Sequence, residues 1–287
     1  MPELPEVEIV KQSLEKKVKY KVINNILIKN PNLRFKVEKN FKKILKNKKI
    51  LKISRRSKYL DIELQNNIYL IIHLGMTGTL HYIEKKKNNL YSNLSFYKSA
   101  ILPKKHNHIE IIFSNFKIIY NDPRRFGFFR ILNNKKKFIN YFKKIGPEPF
   151  DKLFCYNYLK KKLYNKDVCI KNTLINQNIV SGIGNIYANE ILFYAKVNPF
   201  KKSKNISKNE INKIIKFSKY VLDKAIKKGG SSIRNFKDIK GITGTYQDEF
   251  VVYDKKGKIC KSKNCHEKII KLNISNRSTY MCKYCQK

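Results

Sequence analysis

Four cysteines near the carboxyl end constrain the fold of this chain more than any other feature. Cys260 and Cys265 are separated by four residues, Cys282 and Cys285 by two, and sixteen residues divide the two pairs. This spacing is typical of a zinc ribbon, in which two cysteine pairs on a hairpin bind one tetrahedral Zn²⁺. The amino-terminal residues lack the pattern of a secretory leader, so disulfides are the poorer explanation. We therefore expect one structural zinc ion at these cysteines.

A rigid break at Gly146-Pro147-Glu148-Pro149 separates a β-rich part of the chain from a helical part. Before the break, short alternating or apolar runs are typical of strands in a sandwich or barrel. The predicted strands cover residues 21–28, 59–64, 69–74, 109–113 and 117–120. The last two predict a hairpin, because only Ser114-Asn115-Phe116 joins them, whereas the lysine-rich residues 84–105 predict a loop.

After the break the pattern becomes helical, over residues 156–163, 170–177 and 185–195. Ser207 and Glu210 form a capping-box pattern that opens another helix, and Gly229-Gly230 is a typical stop. The polar residues that follow predict a mobile loop.

These patterns indicate an α+β protein of two domains. The first is a β-sandwich with flanking helices, and the second is a helical bundle that carries the zinc ribbon. The predicted boundaries are 2–146 for the sandwich, 150–229 for the bundle, 230–248 for the mobile loop and 249–287 for the ribbon.

The first residues, Met1-Pro2-Glu3-Leu4-Pro5-Glu6, predict both a helix start and a nucleophile. Pro5 and Glu6 suit the first turn of a helix, and its apolar face is Val7, Val10, Leu14 and Val18. If Met1 is removed, Pro2 carries a secondary amine with a pKa near about 8, which is partly nucleophilic at neutral pH. The iminium that it forms with an aldehyde-like carbon is an electron sink, and Glu3 is then a candidate proton donor. A plain helix start is the alternative, and both interpretations can hold together.

A net charge of +42, from 63 Lys and Arg against 21 Asp and Glu, indicates a polyanionic partner, of which nucleic acid is the obvious class. AT-rich coding also produces lysine runs such as Lys135-Lys136-Lys137, so we expect most lysines on the solvated surface. No apolar run approaches the roughly 18 residues that span a bilayer. We therefore expect a soluble, cytoplasmic, monomeric protein that associates with the nucleoid through DNA.

Three motifs in the β-rich part carry candidate DNA contacts. Lys58 follows two arginines where a strand begins, although solvated lysine is the simpler interpretation of that cluster. His73 and Met76 lie where another strand ends in a tight glycine loop. Arg124 and Phe126 occupy the tip of the turn Asn121-Asp122-Pro123-Arg124-Arg125-Phe126-Gly127, and such a tip is unusual without a partner to insert into.

Two further places suit phosphate contact. His106, in His106-Asn107-His108, lacks a third metal ligand at suitable spacing, so contact with phosphate or a strand surface is the better interpretation. Ser181-Gly182-Ile183-Gly184-Asn185 precedes a helix, where backbone N–H groups can bind a phosphate oxygen. A plain corner between two helices explains that stretch equally well.

Taken in order, these motifs resemble one family, formamidopyrimidine-DNA glycosylase, the bacterial 8-oxoguanine DNA glycosylase/AP lyase. The resemblance covers nearly the whole chain. Its matching segments are residues 2–8, 55–59, 73–78, 122–127 and 182–188, together with the four cysteines. It implies a helix-two-turn-helix unit around Gly182–Asn185, which with the ribbon faces the β-rich half across a basic cleft.

The resemblance implies a role for each candidate residue. Pro2 would attack C1′ of the damaged nucleoside, Glu3 would act as general acid and base, and Lys58 would assist β,δ-elimination. Met76, Arg124 and Phe126 would fill the space left by the flipped nucleotide, and Arg124 would read the orphaned cytosine. His73, His106 and Asn185 would contact phosphates, and Arg277 would clamp a phosphate in the catalytic site. Glu6 and Tyr246 would recognise the lesion, together with a loop over 237–246 that closes on it.

Two other functions stay open. An endonuclease VIII-type enzyme removes oxidised pyrimidines with the same fold and nucleophile, and a non-catalytic damaged-DNA-binding protein would keep the fold without the chemistry. Intact Pro2, Glu3 and Lys58 favour an enzyme. The chain departs from the family pattern at Ser57, where glycine is common, and at Asn176 and Phe128-Phe129.

Overall fold

The computed structural model describes residues 1–84, 103–231 and 244–287. The chain divides into two compact units. The amino-terminal unit comprises Met1–Lys143 and Lys228–Thr245, and the carboxyl-terminal unit comprises Lys144–Lys227 and Tyr246–Lys287. Most of the predicted loops over 84–105 and 230–248 lies outside the described residues.

The amino-terminal unit begins with helix α1, Leu4–Val18. Its predicted apolar face is confirmed, because Val7, Val10, Leu14 and Val18 are each at most 2% exposed. Two short helices, α2 (Phe41–Leu45) and α3 (Lys135–Phe142), were not predicted. The lysines that open α3 resemble a solvated run, yet the Asn134 side chain caps that helix by accepting a hydrogen bond from Lys137 N at 2.8 Å.

Among the residues of this unit that the structure describes, eight strands form two antiparallel sheets of four. One has the order β1-β6-β7-β5 and the other the order β2-β3-β4-β8. Their bounds are β1 Asn25–Ile28, β2 Ile50–Arg56, β3 Tyr59–Leu64, β4 Ile68–His73, β5 Thr79–Glu84, β6 Asn107–Ile112, β7 Phe116–Asn121 and β8 Phe128–Leu132. The β6–β7 hairpin is confirmed, whereas the strand predicted over 21–28 begins only at Asn25.

The two sheets and α1 share one apolar core, which confirms the predicted sandwich. Along β3, Leu60, Ile62 and Leu64 point into that core, as the two-residue period of a strand requires. The alternate residues face outward, where aromatic side chains of α3 pack on Tyr59 of β3 and on Tyr69 of the neighbouring β4.

The carboxyl-terminal unit contains four helices and one hairpin within residues 144–227 and 246–287. They are α4 (Tyr156–Leu163), α5 (Ile170–Ile175), α6 (Asn185–Tyr194), α7 (Lys208–Lys227), β9 (Ile270–Ile274) and β10 (Arg277–Met281). The capping box of α7 is confirmed, since Ser207 N donates to Glu210 at 2.8 Å and Glu210 N donates to Ser207 Oγ at 3.3 Å.

Helix α5 ends two residues earlier than predicted. The Gln177 amide donates to the carbonyl of Ile175 at 2.8 Å, a group that a longer helix would use in its own ladder. Within the described ranges, no helix combines the length and apolar character needed to cross a membrane.

Asp61 lies on the outward face of β3, only 9% exposed, between Ser54 and Ile71 of the neighbouring strands. Its Oδ1 is buried, and no donor of the described residues reaches it. Burial, with a smaller contribution from Glu63, raises the pKa of Asp61 to about 7. The unfolded chain therefore ionises first, and stability is lost as pH rises from about 4 to about 7.

Asp61→Asn removes this pH-dependent loss of stability, because asparagine does not ionise. We expect the free energy of unfolding to exceed that of the wild type by about 2–4 kcal/mol at pH 8 and by little at pH 4. Urea titrations at both pH values measure the difference, with the exposed Asp223→Asn as control. An equal difference at both pH values would show that Asp61 ionises normally.

Candidate active site and nucleic-acid interface

The start of α1 holds two buried carboxylates. Glu3 is 3% exposed and Glu6 is 2% exposed. They form a reciprocal capping box, in which Glu6 Oε2 accepts from Glu3 N at 2.9 Å and the Glu3 side chain accepts from Glu6 N. Glu6 Oε1 also accepts from Ser231 N at 2.8 Å and from Ser231 Oγ at 3.0 Å. The residues around Pro2 are therefore held in a fixed geometry at the positive end of the helix dipole.

Pro2 is itself buried, whereas Met1 is 49% exposed. An aminopeptidase can reach an exposed Met1, and its removal would turn the Pro2 nitrogen into a secondary amine beside Glu3. The role of Pro2 as nucleophile stays a prediction.

Lys58 occupies the tight turn between β2 and β3, where Arg56 pairs with Tyr59. It is only 4% exposed, which contradicts the simpler interpretation as solvated lysine. The turn is tied to α1, because Arg55 Nε donates to Glu8 Oε2 at 2.8 Å and Arg55 Nη1 donates to Ser57 O at 2.9 Å. Neither β2 nor the Glu8–Arg55 pair was predicted from the sequence, although both residues lie inside motifs that carry the family resemblance.

His73, the last residue of β4, is a neutral hydrogen-bond donor. Its ring stacks on Phe128 at 5.4 Å, and its Nδ1 accepts from Gly75 N at 3.1 Å. Burial, followed by the charges of Lys58 and Arg34, lowers the pKa of His73 to about 4. Because Nδ1 is the acceptor, the ring proton is on Nε2, which is the arrangement that can donate to a phosphate oxygen.

The predicted insertion residues lie at exposed loop tips. Met76 is 37% exposed and Phe126 is 40% exposed. The Arg124 guanidinium lies over the Phe126 ring, 4.4 Å from its centre, so the two side chains are in cation–π contact. Arg124 and Phe126 border an open groove that Arg34 and Arg125 also line. Arg34 was not predicted as a site residue, because it stands in a polar stretch without a recognisable motif, before the exposed Phe35.

The two histidines of His106-Asn107-His108 differ in access. His106 is partly exposed in the short turn Lys104–His106, and burial and Lys105 lower its pKa. His108 is 2% exposed, and its Nε2 lies 2.7 Å from the carbonyl oxygen of Asp122. Of the two, only His106 is partly exposed, and its contact with phosphate stays a prediction.

In the carboxyl-terminal unit, Asn185 and Arg277 are brought together through Ser278. Asn185 Nδ2 donates to Ser278 O at 3.0 Å, which uses one of its two N–H bonds. The buried Lys171 donates to the same carbonyl at 2.9 Å and to Thr279 Oγ1 at 2.8 Å. Arg277, the first residue of β10, is exposed beside them. Lys171 gave no signal in the sequence, because a buried lysine looks like any other.

The loop before α6 is braced by one side chain. Gln177 Oε1 accepts from Gly182 N at 2.9 Å, and Gln177 Nε2 donates to Ile183 O at 2.8 Å. Gly182 has a φ of +89°, which a side chain would strain, so glycine is required there. This brace fixes the direction in which α6 presents Asn185.

Tyr246 and Glu6, the two predicted lesion-recognition residues, belong to different units. Tyr246 is 1% exposed, with its ring 5.9 Å from Tyr187 and 5.5 Å from Phe250. The preceding residues 237–243 of the predicted capping loop lie outside the described residues. The recognition roles stay predictions.

The four cysteine sulfurs form one cluster in the carboxyl-terminal unit, all within 4.8 Å of one another. Cys260 Sγ lies 3.8 Å from Cys285 Sγ, and Cys265 Sγ lies 3.7 Å from Cys282 Sγ. Tetrahedral Zn–S bonds of about 2.3 Å separate sulfurs by roughly 3.8 Å, whereas a disulfide bond is about 2.05 Å long. The donor set and spacing therefore fit a structural zinc ion.

Two family models match the chain. One, described as the formamidopyrimidine-DNA glycosylase N-terminal domain, matches residues 1–129, and the other, described as the formamidopyrimidine-DNA glycosylase H2TH domain, matches residues 145–237. The chain belongs to the formamidopyrimidine-DNA glycosylase family. It is 39% identical over 287 residues to formamidopyrimidine-DNA glycosylase of Wolbachia sp. subsp. Drosophila simulans (strain wRi), with 100% of both chains covered.

Solved structures of this family superpose on the whole chain. A complex between a Lactococcus lactis FPG mutant and Fapy-dG containing DNA has a TM-score of 0.88 at 35% identity, with 100% of both chains covered. A complex between wild-type Lactococcus lactis FPG and oxidised pyrimidine containing DNA has a TM-score of 0.86 at 34% identity, again with 100% of both chains covered. The α+β fold with its sandwich and helical unit is that of the family.

The protonation state of His73 can be tested directly. We expect its ring resonances to titrate with a pKa near about 4, because burial and two neighbouring cations oppose protonation. We also expect His73→Gln, whose amide nitrogen reaches the Nε2 position, to bind DNA roughly 10-fold more tightly than His73→Asn, whose amide does not. NMR titration and fluorescence anisotropy measure the two quantities, and a pKa near 6.5 would contradict the assignment.

The cysteine cluster predicts one zinc ion per chain. Cys282→Ser should lose that ion and lower the melting temperature, since the ribbon hairpin then lacks its cross-link. Cys155→Ser, an exposed cysteine outside the cluster, is the matched control and should retain the metal. Metal analysis of both purified variants decides the point, and equal zinc content in the two would overturn the prediction.

Proposed function

We propose that the protein is a bifunctional DNA glycosylase/AP lyase of base excision repair, which removes oxidised purines such as 8-oxoguanine and formamidopyrimidines from duplex DNA. The observation that supports this most directly is the amino terminus. Pro2 and Glu3 stand at the head of α1, and the Glu8–Arg55 ion pair ties that helix to the turn of Lys58. Helix α1 therefore places the nucleophile and the acid, and the turn that it contacts places the Lys58 cation.

The chemistry follows from a secondary amine. The Pro2 nitrogen attacks C1′, the bond from C1′ to the base breaks, and the departing base takes up a proton. Glu3 assists ring opening of the sugar by proton transfer, which leaves an iminium between Pro2 and C1′. Loss of a C2′ proton expels the 3′ phosphate, and a second elimination expels the 5′ phosphate, with Lys58 as proton donor and phosphate contact. Water then hydrolyses the iminium and releases Pro2.

Extruding a base from a duplex costs a few kcal/mol of stacking, which must be offset by contacts in the vacated space. The side chains of Met76, Phe126 and Arg124 are exposed, and they project from loops held by hydrogen bonds, as insertion requires. His73, His106, Asn185 and Arg277 would hold the phosphates around the flipped nucleotide. The net charge of +42 favours association with nucleoid DNA and predicts a strong salt dependence of binding.

Zinc would be held by Cys260, Cys265, Cys282 and Cys285. Four thiolates fill a tetrahedral site and leave no position for a catalytic water, so the ion would stabilise the ribbon. The carboxylate of Glu190 ties the same region to α6 by accepting N–H bonds from Val251, Val252 and Tyr253 at 2.8–3.0 Å. Metal and carboxylate together would orient the hairpin that carries Arg277.

Excision of oxidised pyrimidines is the second candidate. One observation favours it, since the Lactococcus lactis relative forms a complex with oxidised pyrimidine containing DNA. The substrate range is therefore to be measured on both lesion classes.

Borohydride reduction tests the mechanism, because it converts an iminium into a stable protein–DNA bond. We expect a covalent band with duplex DNA containing 8-oxoguanine opposite cytosine, and a weaker band with thymine glycol. Pro2→Gly replaces the secondary amine by a primary one and should abolish or greatly weaken the band, whereas Pro5→Ala, which keeps the secondary amine of Pro2, should retain it. Mass spectrometry must first show that Met1 is absent.

If neither lesion gives a band, although Met1 is removed and DNA binding is intact, the protein binds DNA without glycosylase or lyase activity. A stronger band on thymine glycol would assign the protein to oxidised pyrimidines.

A further inference from the structure

The loops that carry the insertion residues meet at one buried acid, Asp122, which is 0% exposed. Its Oδ1 accepts hydrogen bonds from Thr77 Oγ1 and, at 3.2 Å, from Arg124 N. Its Oδ2 accepts from Tyr120 Oη at 2.9 Å and from Gly127 N at 2.9 Å. Thr77 follows Met76 in one loop, whereas Arg124 and Gly127 flank Phe126 in the other. One carboxylate therefore joins both loops.

The backbone of Asp122 is also fixed. Its N–H donates to His106 O at 3.0 Å, and its carbonyl accepts from Arg125 N at 3.2 Å and lies 2.7 Å from His108 Nε2. With the backbone held in this way, the carboxylate can leave its donors only by rotating about its own side-chain bonds, which breaks its hydrogen bonds to Thr77, Tyr120, Arg124 and Gly127. Hydrogen bonds thus hold both the backbone and the side chain of Asp122.

Close packing leaves the two loops little freedom around Asp122. A Cβ atom on Gly75 would lie 2.4 Å from Gly127 N, so the two backbones touch. A Cβ atom on Gly127 would lie 1.8 Å from Tyr120 Oη, whose hydrogen bond reaches Asp122. The Arg124 N–H also reaches Thr77 Oγ1 at 3.3 Å, which links the loops a second time.

We propose that Asp122 is the positioning residue that sets Met76, Arg124 and Phe126 as one rigid insertion unit, so that filling the vacated space and reading the orphaned base occur together. The proposal rests on the proposed function. Asp122 is fully buried and cannot touch DNA, so it acts only through these three side chains. Its effect falls on extrusion of a base from a duplex, and not on elimination at a site that has already lost its base.

Asparagine tests this role because it keeps the size of aspartate but not its acceptors. One oxygen becomes an NH₂ group, which would face two donors that it cannot satisfy. In single-turnover reactions, we expect Asp122→Asn to slow base release from an 8-oxoguanine duplex by at least about 10-fold. Cleavage of a preformed abasic site in single-stranded DNA should stay within about 3-fold of the wild type. The preference for cytosine over adenine opposite the lesion should narrow.

Asp223→Asn makes the same change in charge at an exposed residue of α7 and should alter neither rate. Thr77→Val removes a single donor to Asp122 and should shift the ratio of the two rates in the same direction, by less. Circular dichroism and melting curves show whether each variant is folded.

Equal loss of both activities in a folded Asp122→Asn variant, or an unchanged ratio of the two rates, would overturn the inference. If that variant does not fold, the Thr77→Val variant tests the inference, and an unchanged ratio of base release to abasic-site cleavage in Thr77→Val would overturn it. A wild type that is inactive on both substrates would instead overturn the proposed function.

Discussion

Buried carboxylates that accept backbone N–H groups hold the functional loops of this protein in place. Glu6 accepts from the backbone of Glu3 and of Ser231, and Asp122 accepts from that of Arg124 and Gly127. Glu190 does the same for three successive residues that begin at Val251. A loop has no ladder of its own to satisfy these groups, and a charged acceptor forms shorter and stronger bonds than a neutral one. Each of these acids fixes a segment that the sequence alone leaves undefined.

The use of acids is notable because the chain has so few of them. Only 21 of 287 residues are Asp or Glu, against 63 Lys and Arg. The 21 acids offset only a third of the 63 basic residues, so a net charge of +42 remains to attract a polyanion. Some acids pair with lysines, as Glu110 does, whose 4% exposed carboxylate contacts both Lys29 and Lys117. Buried carboxylates order loops in the interior, and the excess of basic residues leaves a surface suited to binding DNA.

Regular patterns made much of the fold predictable. The apolar face of α1, the capping box of α7 and the bounds of β3 and α4 follow from local periodicity and are confirmed. Strand β5 was missed because its buried residues include Thr79 and His81, which hide the alternation of polar and apolar side chains. The candidate site was located by its motifs, but the ties between motifs were not, since the partners Glu8 and Arg55 stand 47 residues apart. Their pairing is a property of the packed fold.

The turn that carries Lys58 shows how such a tie can replace a local preference. Ser57 has a φ of +56°, a left-handed conformation that costs a residue with a side chain about 1–2 kcal/mol and that glycine adopts freely. Arg55 donates to the Ser57 carbonyl while its guanidinium is paired with Glu8, and the two side chains are only 9% and 18% exposed. A partly buried, hydrogen-bonded pair is stabilised more than a surface ion pair, because water screens it less. The strain at Ser57 is therefore offset by the interaction that also ties the turn to α1, so this chain keeps Lys58 in position without the glycine common at that place.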